Sequence, residues 1–349
     1  MGSIPPRNEG PRCVPSGNRL SQVAPKPLKS HVQLSLDPSL ARPTCPACGC
    51  PRQRLAFTDR NRREGLEIRT SFVRCLGCRT LYLRDIPSGE QLADAYRDGL
   101  VDAVGEVEEV SDLARLSGRR LWLRRLSRLL RGRPHSWPEE AGDGRRILDF
   151  GCGTGIKLLE FHHRGWQVAG VDLNRQAIAR ARALQPWGQW FAGRLEAAPN
   201  WEPFDVIRTD NVIEHLPDPG NILRTLKARL RVGGRLLLYV PHGESLSVRL
   251  FQGRSQACWI PFHLQLFSRR GLEILLHRVG FGSVRITQYT PLSWWEMTAR
   301  QAIAKPGYLS RPPSRVELIA IRAAQTLAPV WVLSAKLGLG EELVAEAMS

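Results

Sequence analysis

Lysine is scarce in this 349-residue chain: Lys26, Lys29, Lys157, Lys227, Lys305 and Lys336 are six of a Lys+Arg total of 50. The formal net charge of +17 is therefore almost wholly arginine, a skew that reads as base composition as much as selection for a ligand. Charge alone thus does not choose between nucleic acid, an anionic membrane surface and an acidic substrate, all of which a positive field attracts. The first forty residues contain no apolar core of about 7–15 residues, so no export signal is expected. Pro6 stands where a myristoylation pattern begun by Gly2 requires Ser or Thr. The apolar run Leu318 to Leu337 leaves thirteen uncharged residues between Arg322 and Lys336, with Pro329 among them, short of the ~20 that cross a bilayer. No repeat at a fixed period is present, which excludes solenoids and propellers.

The length predicts one full α/β domain and a minor module. Residues 1–43 are rich in Pro, Ser, Arg and Asn without apolar periodicity and are expected to form a disordered tail. Residues 44–85 hold Cys45-Pro46-Ala47-Cys48 and Cys75-Leu76-Gly77-Cys78, two CxxC pairs with twenty-six residues between them. That spacing lets two tight turns supply four thiolates to one structural zinc ion, and a module this small needs such a staple. Cys50 is a nearby alternative ligand. Paired CxxC units point to metal binding and a reducing, cytoplasmic setting rather than a secreted disulfide framework. Residues 86–140 read as a helical linker. Within it, 111–133 spaces Leu113, Leu116, Leu123, Leu126 and Leu130 on one helix face and crowds arginines on the rest. That helix either packs on the catalytic sheet or touches a membrane or polyanion.

From 141 to 349 short apolar runs alternate with helical stretches, the pattern of a parallel sheet built from βαβ units. Strands are expected at Arg146–Phe150, Val168–Val171, Phe204–Arg208, Arg235–Val240, Val284–Tyr289 and Glu342–Ala347. Helices are expected near 156–164, 175–184, 220–231 (ended by Gly233-Gly234) and 269–279. An apolar insertion at about 291–338 interrupts the pattern and reads as a cap over an acceptor pocket, or as an interfacial hairpin on a membrane.

The first strand ends in Asp149-Phe150-Gly151-Cys152-Gly153-Thr154-Gly155, whose glycines allow a tight turn and close approach of a ligand to the backbone at a helix N-terminus. Seventeen residues after Gly155 the second strand ends in Asp172, followed by Leu173, where a carboxylate can hold ribose hydroxyls. The strand Phe204–Arg208 then leads through Asp210-Asn211 into Glu214-His215-Leu216-Pro217-Asp218-Pro219. With these elements in order, residues 145–290 resemble class I S-adenosylmethionine (SAM)-dependent methyltransferases, in the branch with an EHL-x-x-P segment. The resemblance implies a Rossmann-like seven-stranded α/β sheet with SAM as cofactor. It implies that Asp149 and Gly151, Cys152, Gly153, Thr154 and Gly155 hold the methionine end, Asp172 and Leu173 the ribose side, and that Asp210 and Asn211 border the methionine chain. Where relatives carry an acid before the fourth strand, this chain has Arg194.

Methyl transfer from a sulfonium is an in-line displacement that asks the protein for alignment, exclusion of water and removal of a proton. His215, and His263 in a stretch similar to the family's H-L-x-x-F-S run, are the candidates to face the acceptor, either as base or as structural imidazoles. Some quinone-pathway relatives hold a divalent metal through two glutamates and a histidine of the segment equivalent to 211–215. Asn211 replaces the first glutamate, so no catalytic metal is expected. The acceptor expected is a small-molecule or glycan- or lipid-linked metabolite, most readily at oxygen, with peripheral membrane contact through 111–133 or 291–338. The alternatives are RNA methylation by a zinc-ribbon enzyme and a non-catalytic scaffold.

Overall fold

The computed structural model describes residues 35–36, 41–61, 68–92 and 142–349. Most of the expected N-terminal tail, much of the expected linker and the whole of the basic helix at 111–133 lie outside the described residues.

The N-terminal module is an antiparallel ribbon of β1 (Gln53–Arg60), β2 (Arg69–Cys75) and β3 (Leu81–Leu83). Its sheet gains a fourth strand from far along the chain, β9 (Gln265–Leu266), which pairs antiparallel with β3. The ribbon is therefore fused to the larger domain rather than standing in front of it. Cys45, Ala47, Val73 and Tyr82 share one buried cluster with Leu272, Leu275 and Leu276. Buried Arg42 ties the two parts together, donating to Gln265 Oε1 at 2.7 Å and to the Pro217 carbonyl at 2.9 Å.

The larger domain is a seven-stranded sheet in the order β10-β11-β8-β7-β4-β5-β6. Its strands are β4 (Arg146–Phe150), β5 (Gln167–Asp172), β6 (Gln189–Ala192), β7 (Phe204–Asp210), β8 (Leu230–Pro241), β10 (Val284–Tyr289) and β11 (Glu342–Met348). Strands β8, β7, β4, β5 and β6 run parallel to one another, while β11 runs antiparallel to both β8 and β10. Ile147, Leu148 and Phe150 of β4 are buried, as a central strand covered on both faces requires. Helices α1 (Leu158–His163), α2 (Arg175–Leu184), α3 (Pro219–Ala228), α4 (Leu246–Phe251) and α5 (Arg269–Val279) connect the strands.

Local chemistry sets the helix ends. Asn174 caps α2 by accepting the Gln176 and Ala177 N–H groups, and Ser268 caps α5 through the Gly271 N–H. Gly280 closes α5 in the left-handed region at φ +97°. Contrary to the expectation from the sequence, Gly233-Gly234 do not end α3. That helix stops at Ala228, and the glycines lie in a bulge of β8, where Phe204 pairs with Leu230 but Val206 with Arg235.

The insertion forms three helices, α6 (Leu292–Ile303), α7 (Arg315–Thr326) and α8 (Ala328–Lys336). Trp295 of α6 stacks on Trp331 of α8 with ring centroids 3.3 Å apart, and buried Arg300 pairs with Glu317 at 3.2 Å. Gln301 of α6 donates to the carbonyls of Gly253 and Ser255, anchoring the insertion to the segment that precedes His263. Among the described residues no single helix is long and apolar enough to cross a membrane, although α7 and α8 together pass by length and composition, bent by 53°.

Candidate cofactor and acceptor site

The carboxyl ends of β4, β5 and β7 converge at the centre of the sheet, the position where open α/β sheets bind ligands. The turn after β4 is built from left-handed backbone: φ is +79° at Gly151, +53° at Gly153 and +70° at Gly155. Packing reinforces the choice. A Cβ on Gly151 would lie 2.2 Å from Val212 Cγ2, and one on Gly155 2.3 Å from the Trp190 ring. Asp172 straps the turn to the end of β5: Oδ2 accepts the Gly153 N–H at 2.8 Å and Oδ1 the Asn174 N–H at 2.8 Å. Asp172 and Leu173 are both half-buried. Cys152 and Thr154 lie in the same turn, where the Thr154 carbonyl accepts from Gln185 Nε2 at 3.3 Å.

Asp149 sits differently from what the resemblance implies. It pairs in register with Arg208 of β7, and both its oxygens accept from Arg208 Nη1, at 3.0 and 2.9 Å. Both residues are only 2 % exposed, so the Asp149 carboxylate is committed to the guanidinium beneath the site rather than presented to a ligand. Burial pushes the Asp149 carboxyl up, partly countered by Arg208. Arg208 also pairs with Asp210, whose Oδ2 meets Lys157 Nζ at 2.7 Å. Burial alone would raise the Asp210 carboxyl, but Lys157 and Arg208 together hold it well below the usual range. Asn211, at φ +54°, donates to Asp210 Oδ1 and Glu342 Oε1, each at 2.9 Å. Burial and the Asp210 charge push Glu342 up to about 8.

Beyond this network the Glu214-His215-Leu216 segment meets the 260s loop. Leu264 N–H donates to the Glu214 carbonyl at 2.8 Å, and Gln265 Nε2 donates to the carbonyls of Ile213 and Leu216. These bonds bring the His215 and His263 rings to 4.6 Å between centroids, with Trp259 against both. His215 Nδ1 lies 3.0 Å from the Phe262 carbonyl and His263 Nδ1 2.6 Å from the Ala257 carbonyl. A carbonyl only accepts, so each Nδ1 carries a proton and each Nε2 holds the lone pair in the neutral ring. Both Nε2 atoms point toward Glu214. Burial drives the Glu214 carboxyl well up, and the nearby charges of Asp210 and Glu342 drive it further.

Cys45, Cys48, Cys75 and Cys78 place their sulfurs within 4.8 Å of one another, with Cys45–Cys78 at 3.6 Å and Cys48–Cys75 at 3.5 Å. Four thiolates around one zinc at ~2.3 Å would stand about 3.8 Å apart, so the cluster fits the ion. N–H groups of Gly77 and Cys78 point at Cys75 Sγ, as in a metal knuckle. Cys50 is outside the four, its sulfur 3.8 Å from the Arg52 carbonyl.

Sequence reasoning did not reach Arg208 or Lys157, and it weighed Glu214 only as a remnant of a metal-binding segment. An arginine at the centre of the buried strand β7 was the available signal for the first.

Residues 116–285 match the family model described as "Methyltransferase domain". The ubiquinone biosynthesis O-methyltransferase of Aeromonas salmonicida (strain A449) is 34 % identical over 101 residues, 27 % of this chain and 42 % of that protein. The tRNA U34 carboxymethyltransferase of Pseudoalteromonas translucida (strain TAC 125) is 30 % identical over 165 residues, 44 % of this chain and 48 % of that protein. The chain thus spans less than half the length of either relative. Among solved structures, a SAM-dependent methyltransferase from Archaeoglobus fulgidus superimposes with a TM-score of 0.41 at 20 % identity, covering 70 % of this chain and all of that one. Residues 116–285 thus match a methyltransferase domain, and the sheet around them is a seven-stranded, Rossmann-like α/β sheet.

Proposed function

We propose that the chain moves a methyl group from SAM to an oxygen of a small-molecule or glycan- or lipid-linked metabolite, with a structural zinc in the four-thiolate ribbon. One observation carries the reading: Asp172 at the tip of β5 is tied to a left-handed glycine turn at the tip of β4, at the carboxyl edge of a class I sheet. Asp172 would take the ribose hydroxyls and the turn from Gly151 to Gly155 would admit the ligand to the backbone. Asp210 and Lys157 offer an anion and a cation side by side, complementary to the amino and carboxylate groups of the methionine portion. Asp149 acts through Arg208 as a positioning residue, and Asn211 borders the same end.

The bound cofactor supplies a methyl already activated on a sulfonium. The protein's own share is to align the acceptor, exclude water and take up its proton, and His215 or His263 is the candidate base as long as its Nε2 is not bound to an ion. The chain is read as a ribbon over 44–85, a linker over 86–140 and the transferase domain over 141–349. The insertion helices expose Val316, Ile319, Leu327, Val330, Leu333 and Leu337, which favours an apolar or lipid-linked acceptor and a position at the inner face of a membrane.

A second reading, RNA methylation, is favoured by the partial similarity to the tRNA-modifying relative. Incubating the full chain with methyl-labelled SAM and fractionated extract separates the two. Label entering the small-molecule, glycan or lipid pools supports the proposal, whereas label entering RNA replaces it with the second reading. Failure to bind SAM or its demethylated product in calorimetry supports the scaffold alternative.

A further inference from the structure

The geometry points to a divalent transition-metal site formed by Glu214, His215 and His263. One ligand atom from each of these buried residues lies within 4.8 Å of the others, and Glu214 Oε1 stands 3.8 Å from His215 Nε2 and 3.9 Å from His263 Nε2. These separations are too long for hydrogen bonds. They suit a shared ion: donors ~2.1 Å from a metal stand about 3.4 Å apart at a tetrahedral angle and about 4.2 Å apart when opposite. A bridging water fits less well, because at ~2.8 Å from each partner in a tetrahedral arrangement it would hold them about 4.6 Å apart.

Two independent features support the assignment. Glu214 is fully buried, and its carboxylate finds no hydrogen-bond partner on any other residue, only its own main-chain N–H at most, an arrangement native proteins seldom leave uncompensated. Both imidazoles are held by Nδ1 against main-chain carbonyls, the outer-shell arrangement that fixes the tautomer and aims Nε2 at a metal. The donors come from two segments distant in sequence, locked together by the Leu264–Glu214 main-chain bond. Asn211 Nδ2 is taken up by Asp210 and Glu342, to which it donates. Two imidazoles and one carboxylate select zinc, cobalt, iron or manganese over calcium or magnesium. Three protein donors also leave at least one coordination position for an oxygen of solvent or acceptor.

The test uses the purified full chain with its ribbon metal in place, titrated with Co²⁺ and followed by absorption and calorimetry. The expected result is a further bound ion whose spectrum lacks thiolate-to-metal charge transfer. That ion is lost in Glu214→Gln and in His263→Ala, while the ribbon metal and the affinity for SAM are retained. Anomalous scattering at the cobalt edge from wild-type crystals locates the ion without relying on any variant. The inference is overturned if the wild-type chain takes up no cobalt beyond the ribbon, if scattering places the ion elsewhere, or if folded variants bind it as tightly as wild type. Failure to bind SAM would instead count against the cofactor reading and leave the metal result standing.

Discussion

Replacing Arg208 with methionine tests how the centre of the sheet is held together. Arg208 and Asp149 are each 2 % exposed and joined by two bonds of 2.9–3.0 Å. Removing the guanidinium leaves Asp149 as a buried carboxylate without its cation, a change that costs about 3–5 kcal/mol. Asp210 suffers less because Lys157 and Asn211 remain bonded to it. Adding Asp149→Asn to Arg208→Met removes the stranded charge, so the double variant recovers most of the loss and the cycle shows a coupling of roughly 2 kcal/mol or more. Urea unfolding of the four proteins, compared at constant m-value, reads this directly. A loss below about 1 kcal/mol for Arg208→Met, or effects that add within ~0.5 kcal/mol, would refute the argument that this ion pair is buried and mutually dependent.

Other consequences are equally direct. Glu341 is buried against Ser247 and pushed up to about 7 by desolvation, so the folded state holds a proton there that the unfolded chain releases near 4.5. Its contribution to stability is full below about pH 4.5 and fades as pH rises through 7, a loss on the order of 3 kcal/mol. Glu341→Gln should therefore flatten the fall in stability between pH 5 and 8, and an unchanged pH profile in thermal melts would contradict this. Stripping the ribbon metal with a thiol-compatible chelator should lower the melting temperature of the whole transferase domain, because the ribbon cysteines share its core cluster. An unshifted main transition would show that the two parts fold independently. The full chain should sediment with anionic vesicles, and Ile319→Glu with Leu333→Glu should abolish this; equal binding by the double variant would exclude α7 and α8 as the contact.

Much of the sheet was readable because its elements are local. The helices α2 and α5 and the strand β10 occupy the residues that periodicity and caps predicted, Arg175–Leu184, Arg269–Val279 and Val284–Tyr289. The pairing of β9 with β3 was not readable, since it joins two-residue and three-residue strands nearly two hundred positions apart. The same limit hid the site's wiring. Asp149 was placed at the ligand from its position before the glycine turn, but its partner Arg208 depends on the register between β4 and β7. Likewise Glu214 gains its chemical interest only when the 260s loop delivers His263, which no spacing in the chain encodes.

The central claim is that the carboxyl edge of β4 and β5 holds SAM through Asp172 and the glycine turn. Calorimetric titration of the full chain with SAM, and with its demethylated product, measures this most directly in wild type and in Asp172→Ala. The account predicts one saturable site in the wild-type chain and an affinity at least roughly tenfold weaker in the variant, about 1.4 kcal/mol for the lost charged hydrogen bonds. Equal affinity in a folded Asp172→Ala protein, or no heat of binding in wild type, would contradict it.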